Sequence, residues 1–549
     1  MSYSRPPNIL LIIVDDLKPS LGSYGDEAAL SPNLDLLASQ GTIFSRTYAQ
    51  QAVCGPSRTS FLTSRRPDTT RLYDFHSYWR THAGNFTSLP QYFREQGYLT
   101  AGMGKVFHPG IASNHSDDQP YSWSLPPYHP PSQKWKDAAV CPDSDGRLHS
   151  NLFCPIEVSE QPGSSLPDLE TVEQARSFLT KSRRQPFLLA VGLHKPHVPH
   201  KFPRQFLDFH PLSSVRLPTN MAVPPGLPSV AWAPWWSIRR REDVASSHPP
   251  LPWGPLDVGM ARLVKQGYYS AVTYIDQQVG RLLQMVDNNT LVLVTSDHGW
   301  SLGEHGEWAK FSNYEETTRV PLILALPGSL TNFTPVDVEK ESQEWRSCEN
   351  SVHTDCRAKL LERHRKRPKT EVTSLVELVD LFPSLVDLAE FPPLPTCPQP
   401  STHVLLCTEG RSWRPLISQT REEINSKPAL SQYPRPSIHP TNTSDLPRES
   451  SIKYMGYSVR LPRFRCTLWM GFSALPYPTP HPDQIVGAEL YDHTKDPGEN
   501  HNLIGGTDVV SQEELLLCLN SIQEEFLDKL GINDSVPIML SQVQSLLII

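Results

Sequence analysis

The chain opens on an unbroken apolar run, Ile9 to Val14, that ends in two aspartates, Asp15 and Asp16. Runs of the same kind recur at Phe187 to Gly192 and at Leu291 to Thr295, and a helical pattern covers Asn33 to Gln40. A strand that alternates apolar and polar positions buries one face, whereas one that is apolar throughout buries both, as in a parallel sheet covered by helices on either side. The pattern therefore predicts an α/β protein: a large mixed, mostly parallel sheet flanked by helices. Ligands in such folds gather beyond the carboxyl ends of the strands. The residues that follow the apolar runs here are Asp15, Asp16, His194, His197, Asp297 and His298, and the pattern collects them at one edge.

Further along, residues 335–370 are polar and densely charged, which predicts an exposed insertion. Pro-rich segments at 391–400 and 433–440 flank an expected boundary, with strand-like pieces at Tyr457 to Leu461 and Arg465 to Trp469 beyond it. We expect a catalytic domain over 1–410 and a smaller C-terminal α+β domain over 411–549. A chain of 549 residues is long enough for both, and its 38% hydrophobic content is enough to bury a core. The formal charge of −8 argues against a nucleic-acid partner, so an anionic ligand needs a local basic pocket. Twenty histidines would reverse that sign if protonated in an acidic compartment.

No apolar stretch is long enough to span a membrane, and the first residues carry no secretory leader. Six N-x-S/T sequons, at Asn85, Asn114, Asn288, Asn332, Asn442 and Asn533, point to a secretory route, with the leader removed or missing from this chain. Nine cysteines leave eight to pair if one is used in chemistry. Cys141 with Cys154 and Cys397 with Cys407 bracket short loops and are the expected local bridges, free buried thiols being the alternative. Cys348, Cys356, Cys466 and Cys518 have no assigned partners.

The most specific signal is Cys54-Gly55-Pro56-Ser57-Arg58, continued by Thr59-Ser60-Phe61-Leu62-Thr63-Ser64-Arg65. With it go Asp15, Asp16, Asp297 and His298, which bring carboxylates from two strand ends together and so suit a hard divalent cation. The segment at 54 resembles the C-x-P-S-R maturation motif of the type I sulfatases, in the alkaline-phosphatase-like superfamily, with Ser64 where that family usually has Gly. The resemblance implies that Cys54 is oxidised to formylglycine by a formylglycine-generating enzyme. One hydroxyl of the hydrated aldehyde would attack sulfur and the other would later expel inorganic sulfate.

It also implies one Ca2+ ion held by Asp15, Asp16, Asp297, His298 and the matured residue 54, with His298 standing where most of the family has Asn. Arg58, Lys105 (in Gly-Lys-x-x-His, ending at His108) and Lys310 (after Gly303-Glu304-His305-Gly306) match the cations that surround the sulfate. His194 matches the residue that protonates the departing sugar oxygen, with His108 as the alternative acid.

Blocks such as Arg65 to Phe75, Ser77 to Arg80, Val106 to Gly110 and Ser431 to Pro436 are not general to sulfatases. They resemble the iduronate-2-sulfatase branch of the family. That resemblance implies exo-acting hydrolysis of the 2-O-sulfate of non-reducing terminal L-iduronate in heparan and dermatan sulfate, in the lysosome. The uronate carboxylate needs a cation of its own, for which Lys310, Arg80 and Arg435 are candidates by chemistry. Two rivals remain. A phosphatase of the wider superfamily would carry Ser or Thr at the nucleophile position and usually two zinc ions. A non-catalytic glycosaminoglycan binder would not need a set of metal ligands.

Overall fold

The structure, a computed structural model, describes residues 5–143, 145–181, 183–247, 249–331, 333–341, 356–364, 366–418, 427–504 and 511–546, with backbone alone for 341, 356–358 and 364. The elements that build the first body are β1 (Asn8–Val14), α1 (Pro32–Gln40), β2 (Thr42–Phe44), α2 (Cys54–Thr63), β3 (Leu99–Gly104), α3 (Pro167–Leu179), β4 (Phe187–Leu193), α4 (Val258–Leu283), β5 (Thr290–Ser296), β6 (Leu322–Ala325), β7 (Thr370–Val372) and α5 (Leu381–Leu388).

The strands form one sheet in the order β7-β2-β6-β5-β1-β4-β3. β5, β1, β4 and β3 run parallel to one another, β6 is antiparallel to both of its neighbours, β5 and β2, and β7 is parallel to β2.

β1 shows why the apolar runs are continuous. Leu10, Ile12 and Val14 pack with α1, α3 and α4 on one face, and Ile9, Leu11 and Ile13 pack with α2 and α5 on the other. Each fully buried side chain of this size contributes roughly 1.5–3 kcal/mol, before entropy is counted against it. Helices of the same layer are also tied to each other by polar groups. Asp276 of α4 accepts hydrogen bonds from the backbone N–H groups of Asn33 and Leu34, at 3.1 and 2.8 Å, in the first turn of α1.

β3 was not among the strands expected, because its glycines dilute the apolar signal. Those glycines permit close approach: a Cβ on Gly102 would meet the Trp123 ring, and one on Gly104 (φ +72°) would meet the carbonyl of Gly192. The end of β3 thus lies directly on the end of β4, and Lys105 N–H donates to Gly192 O at 2.9 Å.

A second sheet is antiparallel and built of β8 (Ala429–Arg435), β9 (Tyr454–Arg460), β10 (Phe464–Ser473) and β11 (Thr479–Asp492) in that order. It packs on α6 (Gln512–Ile522) and α7 (Val536–Leu546) around its own core. Tyr433 to Arg435, expected in a Pro-rich boundary segment, instead finish β8. Pro434 fits there because β8 is an edge strand of this sheet, where a missing N–H is tolerated.

Within 335–370, Val338 and Leu360 are buried in the first core layer, while residues 342–355 lie outside the described residues. The bridges Cys141–Cys154 and Cys397–Cys407 are both present, and Cys466–Cys518 ties β10 to α6. Cys348 and the side chain of Cys356 lie outside the described residues. Among the described residues no helix is long and apolar enough to cross a membrane.

Candidate active site

The four adjacent parallel strands β5, β1, β4 and β3 end side by side, and each hands its next residues to the same place: Asp297 and His298, Asp15 and Asp16, His194, and Lys105. α2 points its first residue, Cys54, into the middle of this row, at 1% exposure. Around the Cys54 sulfur lie Lys310 Nζ at 3.0 Å, His298 Nε2 at 3.4 Å, and Lys105 Nζ and Asp15 Oδ1 both at 3.5 Å. Burial, with the Asp15 carboxylate adding to it, pushes the thiol up to about 12 against the pull of Lys105 and Lys310. A cysteine held so high is not a thiolate nucleophile at neutral or acid pH.

The charges form two linked arcs. Lys105 Nζ donates to Asp15 Oδ2 at 2.5 Å, and Lys310 Nζ donates to Asp16 Oδ1 at 2.7 Å. Arg58, one turn along α2 from Cys54, is fully buried behind them rather than facing outward. Its guanidinium donates to Asp297 Oδ2 (2.9 Å), Asp15 Oδ1 (3.0 Å) and the carbonyls of Lys105 and Val106. Burial opposes ionisation of Asp15, yet Lys105, His197 and Arg58 together hold it well below the usual carboxylate range. Asp16 is raised, by burial first and by Asp15 among its neighbours, despite Lys310.

Backbone strain aims several of these groups. Asp16 (φ +63°), Ala309 (φ +89°) and Phe311 (φ +85°) all sit in the left-handed region, the last two flanking Lys310. Each such residue costs on the order of 1–3 kcal/mol and persists only where its surroundings enforce it. For Asp16 the enforcement is visible. Its N–H donates to Asp297 Oδ1 (3.1 Å) and its carbonyl accepts from the Tyr268 hydroxyl (2.8 Å).

The donor set fits a divalent cation. Asp15, Asp16 and Asp297 bring carboxylate oxygens within 4.8 Å of one another, and Asp16, Cys54 and His298 form a second such group. Asp16 Oδ2 is buried with no hydrogen-bond partner. His298 Nδ1 lies 2.9 Å from Gly299 O, so the proton sits on Nδ1 and the Nε2 lone pair faces the cluster. Burial keeps this imidazole neutral, as a metal ligand requires.

Above Cys54 opens a cavity of about 1120 Å³, lined by Lys105, His108, His194, Lys310 and Trp300 among others. His194 is fixed through its backbone N–H, which donates to Asp168 Oδ1 of α3 at 2.6 Å. His108 stacks on Phe75 with ring centres 4.0 Å apart, and is held well below the usual histidine range by burial and by Lys105.

Two cations expected as partners for a uronate carboxylate are otherwise engaged. Arg80 forms a forked pair with Asp118 (2.5 and 2.7 Å), and Arg435 is buried among the carbonyls of Val230, Ala231, Phe311 and Ser444. Sequence reasoning passed over Lys136 and Lys195, which also line the cavity, and Phe75 beneath His108. Nothing in the local sequence marks Lys136, whereas Lys195 adjoins His194 and Phe75 ends the block that begins at Arg65. Ser64, the departure from the family's glycine, closes α2 at φ +53° with its hydroxyl 2.8 Å from Val379 O and 2.7 Å from Thr408 Oγ1. These bonds support a left-handed serine at the far end of the helix from Cys54.

The sulfatase family profile matches residues 7–391. Human iduronate 2-sulfatase is 48% identical over 514 residues, covering 90% of each chain, and the mouse enzyme is 47% identical over 523 residues, again covering 90% of each. The phosphonate monoester hydrolase of Silicibacter pomeroyi superposes with a TM-score of 0.64 at 19% identity, covering 96% of each chain, a likeness of fold alone. The chain belongs to the sulfatase family, and it is a sulfuric ester hydrolase.

Proposed function

We propose that this hydrolase removes the 2-O-sulfate from non-reducing terminal L-iduronate in heparan sulfate and dermatan sulfate, in lysosomal glycosaminoglycan degradation. The observation that carries the reading is Cys54, set between Lys105, Lys310 and three carboxylates at the floor of a cavity, in a chain 48% identical to human iduronate 2-sulfatase. Matured to formylglycine by a formylglycine-generating enzyme, residue 54 supplies as its hydrate one hydroxyl to attack sulfur and a second through which sulfate is released. A Ca2+ ion on Asp15, Asp16, Asp297 and His298 supplies positive charge to the sulfate oxygens.

The chain's own residues do the rest. Lys105 and Lys310 reach both the carboxylates and residue 54, so their ammonium groups stabilise charge that builds on the sulfate oxygens. Arg58 touches neither cavity nor substrate; it is a positioning residue that fixes Asp15 and Asp297. His194, on the cavity wall and held by Asp168, donates a proton to the departing sugar oxygen, and His108 lines the same cavity on its Phe75 platform. A division into a catalytic domain up to about residue 410 and a smaller one after it belongs to the same reading.

The test is mass spectrometry of the tryptic peptide 47–58 from protein made through the secretory pathway, beside sulfate release from a 2-sulfated iduronide. An aldehyde at residue 54 together with sulfate release supports the reading. An intact thiol and no release sinks it.

A further inference from the structure

Of the lysines that line the cavity, Lys105 and Lys310 each hold a carboxylate and Lys195 donates to the carbonyls of His197 and Pro199, which leaves the ammonium of Lys136. Lys136 follows the short helical turn Pro131–Trp135 and lines the same cavity as Cys54, Lys105, His108 and His194. It is half-buried, and its ammonium has no hydrogen-bond or ion-pair partner among the described residues. The adjacent carboxylate, Asp137, is paired with Arg241 at 2.9 Å.

Around Lys136 stand further cations. Its charge is felt at Lys195 and His197, and burial first, then Lys105, push its own proton affinity down against the pull of Asp137 and Asp15. Withdrawing an ammonium from water beside like charges is costly, and a bound anion removes that cost.

The space allows it. About 1120 Å³ exceeds the roughly 300–1,000 Å³ that holds a drug-sized ligand, so the cavity takes more than one sulfated ring. Arg80 and Arg435 are committed elsewhere, and Lys310 is committed at the cleavage centre.

We propose that Lys136 binds a second anionic group of the glycan, either the carboxylate of the sugar being cleaved or a sulfate on its neighbour, while Lys105 and Lys310 hold the sulfate that leaves. This rests on the iduronide reading above. Arg240 and Arg448, exposed on the same lining, extend the positive wall outward.

The experiment is steady-state kinetics of the matured wild type, Lys136→Met and Lys136→Arg. The substrates are a 2-sulfated methyl iduronide, its carboxamide, a disaccharide with and without 6-sulfate on the neighbouring glucosamine, and 4-nitrocatechol sulfate. Lys136→Met should raise KM at least about tenfold more for one anion-bearing substrate than for its matched partner lacking that anion, with kcat changed less than about threefold; Lys136→Arg should recover most of the loss. Whether the difference vanishes with the carboxamide or with the unsulfated neighbour identifies which anion Lys136 holds. A loss equal on every substrate, aryl ester included, or no loss at all, overturns the proposal while leaving the iduronide reading intact. A wild type that cleaves the aryl ester but not the iduronide overturns that reading and this proposal with it.

Discussion

His200 lies fully buried in a short strand against Phe153–Ile156, its ring edge-on to Tyr268 at 5.8 Å and to Trp300 at 6.5 Å. Burial first, and the Lys195 ammonium next, hold its imidazole down at about 3. In the unfolded chain the same ring titrates near 6.5. The folded state's advantage is therefore complete above pH 6.5 and is lost as pH falls from there toward 3. At pH 5.0 the unfolded ring is about 1.5 units below its pKa, which at 1.36 kcal/mol per unit makes the loss about 2 kcal/mol; at pH 7.5 it is close to zero.

The size is insensitive to the folded value so long as that stays well under 5. His200→Leu keeps an apolar side chain of similar bulk and cannot titrate. Whatever the substitution costs in packing is common to both pH values and cancels. Thermal melts of wild type and variant at pH 5.0 and 7.5 should show the variant losing less on acidification, by about 2 kcal/mol or a few degrees in Tm. Equal losses in the two proteins would refute the assignment of a buried neutral His200.

Three further outcomes are expected. Arg58→Met leaves Asp15 and Asp297 buried without their shared guanidinium and should cost about 3–5 kcal/mol, read as a large drop in Tm in the same melts. His194→Gln should slow release from an iduronide by about 10²–10⁴-fold but barely affect 4-nitrocatechol sulfate, whose leaving oxygen needs no proton; equal losses on both would remove His194 as the acid. Treatment with a calcium-selective chelator should abolish sulfate release and lower Tm, both restored by Ca2+, whereas Asp16→Asn should blunt the restoration.

Much of the central sheet was readable because β1, β4 and β5 are buried on both faces and so carry polar positions only at their ends. The placement of Asp15, Asp16, His194, Asp297 and His298 at one edge followed directly, since strand ends in a parallel sheet share a side. β3 escaped because the glycines that bring it against β4 erase the pattern that would announce it. Partnership was the other blind spot. Arg435 stands in a distinctive block and reads as a substrate cation, yet its donors are taken by four carbonyls that come from residues 230, 231, 311 and 444. Lys136 reads as one lysine among many, because its lack of an ion-pair partner among the described residues exists only in three dimensions. The Cys466–Cys518 bridge, 52 residues apart, joins a strand to a helix that no spacing rule connects.

β1 occupies the middle of the sheet and precedes its other strands along the chain. Its earliest partner in register, β4, begins about 170 residues later, which at about 5–20 residues per second is roughly 10 to 35 s of synthesis. Throughout that interval a strand with two apolar faces has no complement and depends on being held apart from other chains. The Cys54 thiol, sealed in the finished protein, precedes β4 by about 130 residues, and so by roughly 7 to 27 s of synthesis. On the formylglycine reading proposed above, strand order sets a clock: the enzyme that oxidises residue 54 would have to reach it before β4 and β5 arrive on either side of β1 and close the door.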